Sequence, residues 1–393
     1  MTGFATQQLH AGSPASRVTP RALPIYLTAG FVLDDFDQAV DHFSTGDGFS
    51  YTRVANPTNQ AVEQRMAVLE GGAEALLLGS GQAALAVTIL GLLQSGDHML
   101  SASSIYEGSR GFFVENLPRL GIQTDFVKDA NDPDAWERLI RPNTRVLFAE
   151  SIPNPKNEVL DIAAVAAVAS RHGIAFVVDN TLATPYLVRP LEHGADIVIH
   201  SASKFLAGHG AVLGGVIVDK DADRLAYLRD SVALRFGPTP SPLNAFLINQ
   251  GVETLSLRVE RQSANALGVA RWLEKQPEVL SVDYPGLESN SYFELAERYL
   301  PDGTGSVFSF TLRGGIDEVR RFINALEVFT HMTHLGDVRS LVLHLATTSH
   351  NLRTDEQLEE AGIWPGTLRV SIGIEDLPDL VADLERGLTA VRG

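Results

Sequence analysis

The chain has 393 residues, too many for one small core, and its 45% apolar content is enough to fill two lobes. Thirty-one basic against forty-eight acidic residues leave a net charge of -17, which disfavours nucleic acid and anionic membrane as partners but leaves room for small-anion sites. The absence of cysteine excludes disulfides, thiolate metal sites and thiol catalysis. The start, MTGFATQQLHAG, lacks a signal-peptide pattern, and the longest apolar run, Ala83 to Leu93, falls short of the roughly 20 residues of a membrane span. The expectation is a soluble cytoplasmic protein.

Residues 1–56 are interrupted by Pro20, Pro24, Gly46 and Gly48 and read as an arm. The arm contains FSYTRVANPT, in which Tyr51 and Arg53 have the chemistry of phosphate ligands. An exposed arginine in a surface ion pair accounts equally well for Arg53. Over 57–243, helical patterns alternate with short apolar strands: EALLLGS, HMLSASS, TRVLFAES, IAFVVDN and DIVIHSAS. That alternation predicts a mostly parallel sheet whose ligands gather at the carboxyl ends of its strands.

The first such end, LLLGSGQAALAV, fits G-x-G-x-x-A through Gly79, Gly81 and Ala84. The amides of Gly81 and Gln82, opening a helix, suit a phosphate. A dinucleotide is the less favoured ligand, because the next strand ends in serines where an acid should meet the ribose; a plain turn is the third reading. Tyr106 follows HMLSASS, where its ring can lie on a flat ligand or fill the core. Asn154 follows TRVLFAES between prolines, a place equally natural for a turn residue. Asp179 ends AFVVD, where alone it would read as a cap. The next strand runs into Ser201, Ser203 and Lys204, followed by Phe205, Leu206 and the glycine-rich GHGAVLGG. An amine for a Schiff base, a carboxylate for a pyridine nitrogen and a nest of donors together make a pyridoxal phosphate (PLP) cradle.

Residues 244–393 form a smaller predicted lobe, with a helix over 244–275, strands in SVDYPG and SVFSFTLRGG, and a helix in DEVRRFINALE. Arg369 in TLRVSIGIED is a candidate clamp for a substrate carboxylate. His344 and His350 have no metal-ligand spacing and read as structural, so no metal is expected.

Taken in order, YTRVANPT, GSGQAA, SIYEGS, ESIPNP, VVDNTLATP, HSASKFLAGHG and RVSIGIED resemble the motifs of the cysteine/methionine-metabolism PLP enzymes. The resemblance implies the aspartate-aminotransferase-like α/β fold (fold type I), with a large, mostly parallel sheet domain and a smaller C-terminal α/β domain. It makes Lys204 the Schiff-base lysine, Asp179 the partner of the pyridine nitrogen and Tyr106 the stacking ring. Gly81, Gln82, Ser201 and Ser203 then bind the phosphate, with Tyr51 and Arg53 donated by the adjacent subunit of a tetramer built from catalytic dimers. Arg369 and Asn154 hold the substrate carboxylate, Asn154 also meeting the cofactor's phenolate oxygen, and Tyr51 or Tyr106 assists proton chemistry. GHGAVLGG, PLNAFLINQGVETLSLRVERQSANAL and LGDVRSLVLH look most like the O-acetylhomoserine sulfhydrylase branch, which joins O-acetyl-L-homoserine and sulfide. Against the family pattern, Ser203 replaces a common threonine, Glu107 a glycine, Leu345 a proline and His334 an asparagine, while Gly108 stands where the methionine gamma-lyases carry cysteine. Cystathionine gamma-synthase, O-succinylhomoserine sulfhydrylase and methionine gamma-lyase need the same apparatus. An oxidoreductase using the glycine turn and a non-catalytic carrier of this fold are the readings from other classes.

Overall fold

The computed structural model describes residues 3–12, 20–154, 156–349, 351, 353–360 and 362–393; Pro155 and His350 lie outside them. Short apolar runs build a seven-stranded sheet from β1 (Glu74–Leu78), β2 (His98–Ala102), β3 (Gln123–Val127), β4 (Thr144–Glu150), β5 (Ala175–Asp179), β6 (Ile197–Ser201) and β7 (Gly215–Asp219). Their order is β1-β7-β6-β5-β4-β2-β3, parallel except for β7, which runs antiparallel to both of its neighbours. The central strands carry Val/Ile/Leu/Phe cores, VLF in β4, FVV in β5 and IVI in β6, because those positions are buried on both faces of the parallel sheet. The sequence reading passed over β3, whose QTDFV is only half buried at the sheet edge and so tolerates polar residues that hide its pattern.

The second sheet comprises β8 (Val279–Asp283), β9 (Val307–Leu312), β10 (Thr330–His331), β11 (Leu341–His344) and β12 (Thr367–Ser371), in the order β10-β11-β12-β9-β8. Phe308, Phe310 and Val370 of this sheet share a core with Phe322 and Leu384 from the helices Ile316–Ala325 and Leu377–Arg392. The helix predicted over 244–275 is two helices, Pro242–Val252 and Leu255–Leu273, parted at Glu253 and Thr254. The second one spans both cores: Leu255 and Val259 pack with the large sheet, and Ala266, Val269 and Leu273 with the small one.

This spanning helix also fixes the loop after β6. Arg258 is buried, and its guanidinium donates to the carbonyls of Phe205 (2.8 Å), Leu206 (3.3 Å) and Gly251 (2.6 Å). Burial pulls its pKa down to about 10, so the charge is held by carbonyl dipoles and not by a carboxylate. Gly208 sits at φ +73°, where a Cβ would lie 2.1 Å from Arg258 Nη1. Only glycine combines that backbone angle with that approach. Removing the guanidinium strands the Phe205 and Leu206 carbonyls, while Gly251 keeps the Thr254 amide and hydroxyl, and it relieves one desolvated charge. Arg258→Met is therefore expected to cost about 2–4 kcal/mol, read as a lower melting temperature; an unchanged melting curve would show that the staple carries no weight.

Candidate active site

Lys204 lies in the turn that leaves β6. Its amide donates to the Ser201 carbonyl at 3.1 Å and its own carbonyl accepts from Gly208 at 2.7 Å, so the residue is pinned on both sides. The loop from His334 to Val338 presses on this turn: the Val338 amide donates to the Gly208 carbonyl at 2.9 Å. A Cβ on Gly336, at φ +75°, would meet the Phe205 amide nitrogen at 2.8 Å. The contact delivers His334 to the amine, with Nδ1 3.3 Å from Lys204 Nζ. Burial, and then the positive charge of Arg369, lower the Lys204 amine from 10.5 to about 8.

Asp179 ends β5, and its Oδ1 accepts from the Thr181 amide (2.9 Å) and hydroxyl (2.5 Å). Asp179 thus caps the turn that follows β5 through one oxygen, as its place in the sequence predicts, and those bonds fix the direction of the other. Directly across the ladder, Glu150 ends β4 in register with Asp179. Burial and the neighbouring Asp179 charge push the Glu150 carboxyl well up. Asp179 is also raised by burial, but the two Thr181 bonds and His200 oppose the rise. Glu150 accepts backbone bonds too, from Tyr106 and Asn154, yet its rise is the greater of the two, so a proton held by the pair sits on Glu150 in preference to Asp179. The sequence reading quoted ESIPNP without singling out Glu150; the available signal was an acid at the end of the strand adjacent to Asp179.

Gly81 and Gln82 open the helix Gly81–Leu92, whose N-cap Ser80 accepts from the Ala83 amide at 3.1 Å. The first two amides of the helix have no intrahelical acceptor. A Cβ on Gly81 would fall 2.7 Å from Ser201 Cβ, so the helix start seats directly on the end of β6 and only glycine allows it. Ser201 donates its amide to Thr181 Oγ1 at 2.8 Å. Ser203, by contrast, is turned to Gly214: its hydroxyl accepts from that amide at 3.0 Å and lies 3.4 Å from that carbonyl.

Tyr106 is 52% exposed, and its amide donates to Glu150 Oε1 at 2.6 Å. A Cβ on Gly108 would lie 2.4 Å from the Tyr106 ring, so the glycine is what lets the ring lie over the loop. Gln82 Nε2 ties the same loop down through the Gly108 carbonyl at 3.0 Å. Glu107 forms an ion pair with Arg353, linking the tyrosine loop to the segment after β11. Arg369 on β12 is buried, lowered to about 10 chiefly by that burial, and donates to the carbonyls of Thr333 (3.3 Å) and His334 (3.2 Å). Asn154 leaves Oδ1 buried without a partner.

Tyr51 and Arg53 stand apart from this group. Tyr51 bridges to Gly30, and Arg53 donates to the Leu234 carbonyl at 2.8 Å beside a separate cleft of about 940 Å³ lined by Asn56, Arg229 and Pro238. His344 bonds Thr347 and the Pro365 carbonyl, as a structural histidine does. Among the described residues no cluster of three or more metal-ligating side chains occurs, and no helix is long and apolar enough to cross a membrane.

Residues 5–389 match the family model described as Cys/Met metabolism PLP-dependent enzyme. The chain belongs to that family. It is 40% identical over 430 residues to the O-acetyl-L-homoserine sulfhydrylase of Corynebacterium glutamicum, covering 99% of this chain and 97% of that one. It is also 40% identical over 396 residues to the L-methionine gamma-lyase of Pseudomonas putida, covering 99% and 98%. A putative O-acetylhomoserine (thiol)-lyase of Campylobacter jejuni, solved with N'-pyridoxyl-lysine-5'-monophosphate, superposes with a TM-score of 0.94 over 100% of both chains at 33% identity. The fold is that of the type I PLP enzymes, as the two-sheet architecture shows.

The cofactor of this family is PLP, and this chain's own geometry suits it. A half-buried amine of depressed basicity, a strand-end carboxylate and a glycine-seated helix start converge at the ends of β1, β5 and β6. An orphaned amide oxygen on Asn154 is a further buried group that wants a ligand.

An amine lowered to about 8 is half neutral at that pH, whereas an ordinary lysine amine is almost wholly charged there; Lys128, Lys220 and Lys275 are the exposed competitors. Acylating the cofactor-stripped protein at pH 8 should therefore modify Lys204 first, an order visible by peptide mass spectrometry; preferential labelling of the exposed lysines would refute the depressed basicity.

Proposed function

We propose that this enzyme catalyses gamma-replacement, converting O-acetyl-L-homoserine and sulfide to L-homocysteine and acetate in the cytoplasm. The reading is carried by the convergence of Lys204, Asp179 and the Gly81 helix start on one place in a chain of this family. The extended likeness to the Corynebacterium sulfhydrylase supports the sulfhydrylase branch. Gly108, without a thiol beside Tyr106, speaks against the lyase.

Bound PLP supplies an electron sink for the carbanion chemistry of an amino acid. Lys204 would bond it, Asp179 would serve its pyridine nitrogen, and the Tyr106 ring would stack on it. Gly81, Gln82 and Ser201 receive the phosphate. Ser203 joins them after a hydroxyl rotation away from Gly214, and Asn154 meets the phenolate oxygen. Arg369, buried and short of a carboxylate, takes the substrate's alpha-carboxylate together with Asn154. The Lys204 amine, neutral for half of its time near pH 8, removes the alpha proton and later returns it. A second proton is taken from the beta carbon as the gamma C–O bond breaks and acetate leaves with its electron pair; hydrosulfide then adds at the gamma carbon and a proton returns to the beta carbon. Tyr51 and Tyr106 are the hydroxyls within the design for the leaving-group step.

Tyr51 and Arg53 make none of these contacts within one chain, and we assign them to the phosphate of an adjacent subunit's site. Residues 1–56 then act as an exchanged arm, with 57–243 as the cofactor lobe and 244–393 as the small lobe of each subunit. The arm helix Phe36–Thr45 buries no residue, and Leu27, Val32, Phe36 and Phe43 are exposed. Such an apolar face calls for a cover, which a tetramer of two catalytic dimers provides.

The test is turnover of O-acetyl- and O-succinyl-L-homoserine, each with sulfide and with cysteine. Fastest turnover with the acetyl ester and sulfide is expected; dominant cystathionine formation, or 2-oxobutyrate release without sulfide, would replace this reading. Lys204→Ala should lose both turnover and the borohydride-sensitive near-violet absorption band, and retention of either would overturn the assignment of the lysine.

A further inference from the structure

His334 lies beside the Lys204 amine, and the sequence pattern alone gave it no role. The Lys204–Gly208 turn meets the His334–Val338 loop through the Gly208 carbonyl and the Gly336 backbone, so the 3.3 Å separation of Nζ and Nδ1 is fixed by two backbone contacts as well as by the side chains. His334 Nε2 is buried and has no partner. The charged groups that act on the imidazole are Lys204, Arg369 and Arg339, all opposing its protonation, and Asp337, favouring it; burial opposes it further and the net effect lowers its pKa. Asp337 is itself engaged by Arg339 at 2.8 Å.

We propose that His334 is the proton partner of Lys204: the two side chains share one proton, and His334 Nδ1 is the acceptor through which the lysine amine becomes neutral and is recharged. Two protons on the pair would set two cations side by side in a desolvated site already facing Arg369. With the proton on Lys204, the Nδ1 lone pair accepts from Nζ, which fixes the neutral imidazole as its Nε2–H tautomer. When the amine must be neutral, the N–H bond on Nζ breaks and leaves its electron pair there, while a new N–H bond forms on Nδ1. The imidazolium so formed returns the proton by the reverse path. No water is needed at the amine. His334 is on this account a positioning and proton-holding residue that acts through Lys204 and does not touch the reacting carbon.

The inference rests on the reading of Lys204 as the cofactor lysine, which the loss of colour in Lys204→Ala tests separately. In the PLP-loaded enzyme, His334→Asn preserves hydrogen bonding without carrying a proton. It should lower kcat by about a hundredfold with KM for the amino-acid substrate within about twofold, and it should flatten the acid limb of the pH profile. Added imidazole should restore about a tenth of the activity of His334→Ala. Apart from turnover, competitive acylation of the cofactor-stripped protein reads the Lys204 midpoint directly. His334→Leu removes the acceptor that stabilises the ammonium and should move the midpoint down by about one pH unit. An unmoved midpoint, or a raised KM at wild-type kcat, would overturn the proposal. If His334→Leu fails to fold, the His334→Asn profile decides the matter alone.

Discussion

A primary amine held half-buried at the carboxyl end of a sheet strand is the constraint on which the rest of this structure depends. Lysine is among the side chains least often buried, and removing its charge from water costs free energy that packing alone does not return. Lys204 meets that cost by giving up basicity, falling to about 8, and by finding an imidazole at 3.3 Å. Its backbone is held by a second buried cation. Arg258 grips the carbonyls of Phe205 and Leu206 from a helix that belongs to both cores, so the position of the amine is tied to the docking of the two lobes.

The acid side of the site follows the same logic of limited charge. Glu150 and Asp179 end neighbouring strands in register, and parallel pairing places their carboxyls close whatever the loops do. Thr181 gives two hydrogen bonds to one of them, while the other accepts a backbone amide from Tyr106. The Asn154 amide also reaches Glu150, so hydrogen bonds serve both carboxyls; the Asp179 charge raises Glu150 further, and a proton held by the pair favours it. The Tyr106 loop is held by Glu150 as well as by Gln82 and Arg353, so the placement of that ring is tied to the carboxyl pair.

Which parts of this were legible beforehand has a physical pattern. Lys204, Asp179, Gly81 and Tyr106 were legible because each ends or follows an apolar strand, and strand ends converge in a parallel sheet. The break at Glu253 and Thr254 was not, since both flanking segments are helical and apolar and the interruption carries neither glycine nor proline at its centre. Edge strand β3 was hidden by its polar residues. Arg258 and Glu150 were overlooked for another reason: each works through a partner more than twenty residues away, so no local pattern marks it.

The amino-acid order by itself determined the cofactor chemistry, the family and the alternation that makes the large sheet, because these depend on residue types at local spacings. Tertiary structure alone decided which of two carboxyls is raised further, which imidazole meets the amine, and that Ser203 turns to Gly214 while Arg53 donates to the Leu234 carbonyl. Proton affinity and hydrogen bonding are set by neighbours within a few ångströms. Only the packing of one lobe on the other brings residues 204 and 334, or 205 and 258, to that distance.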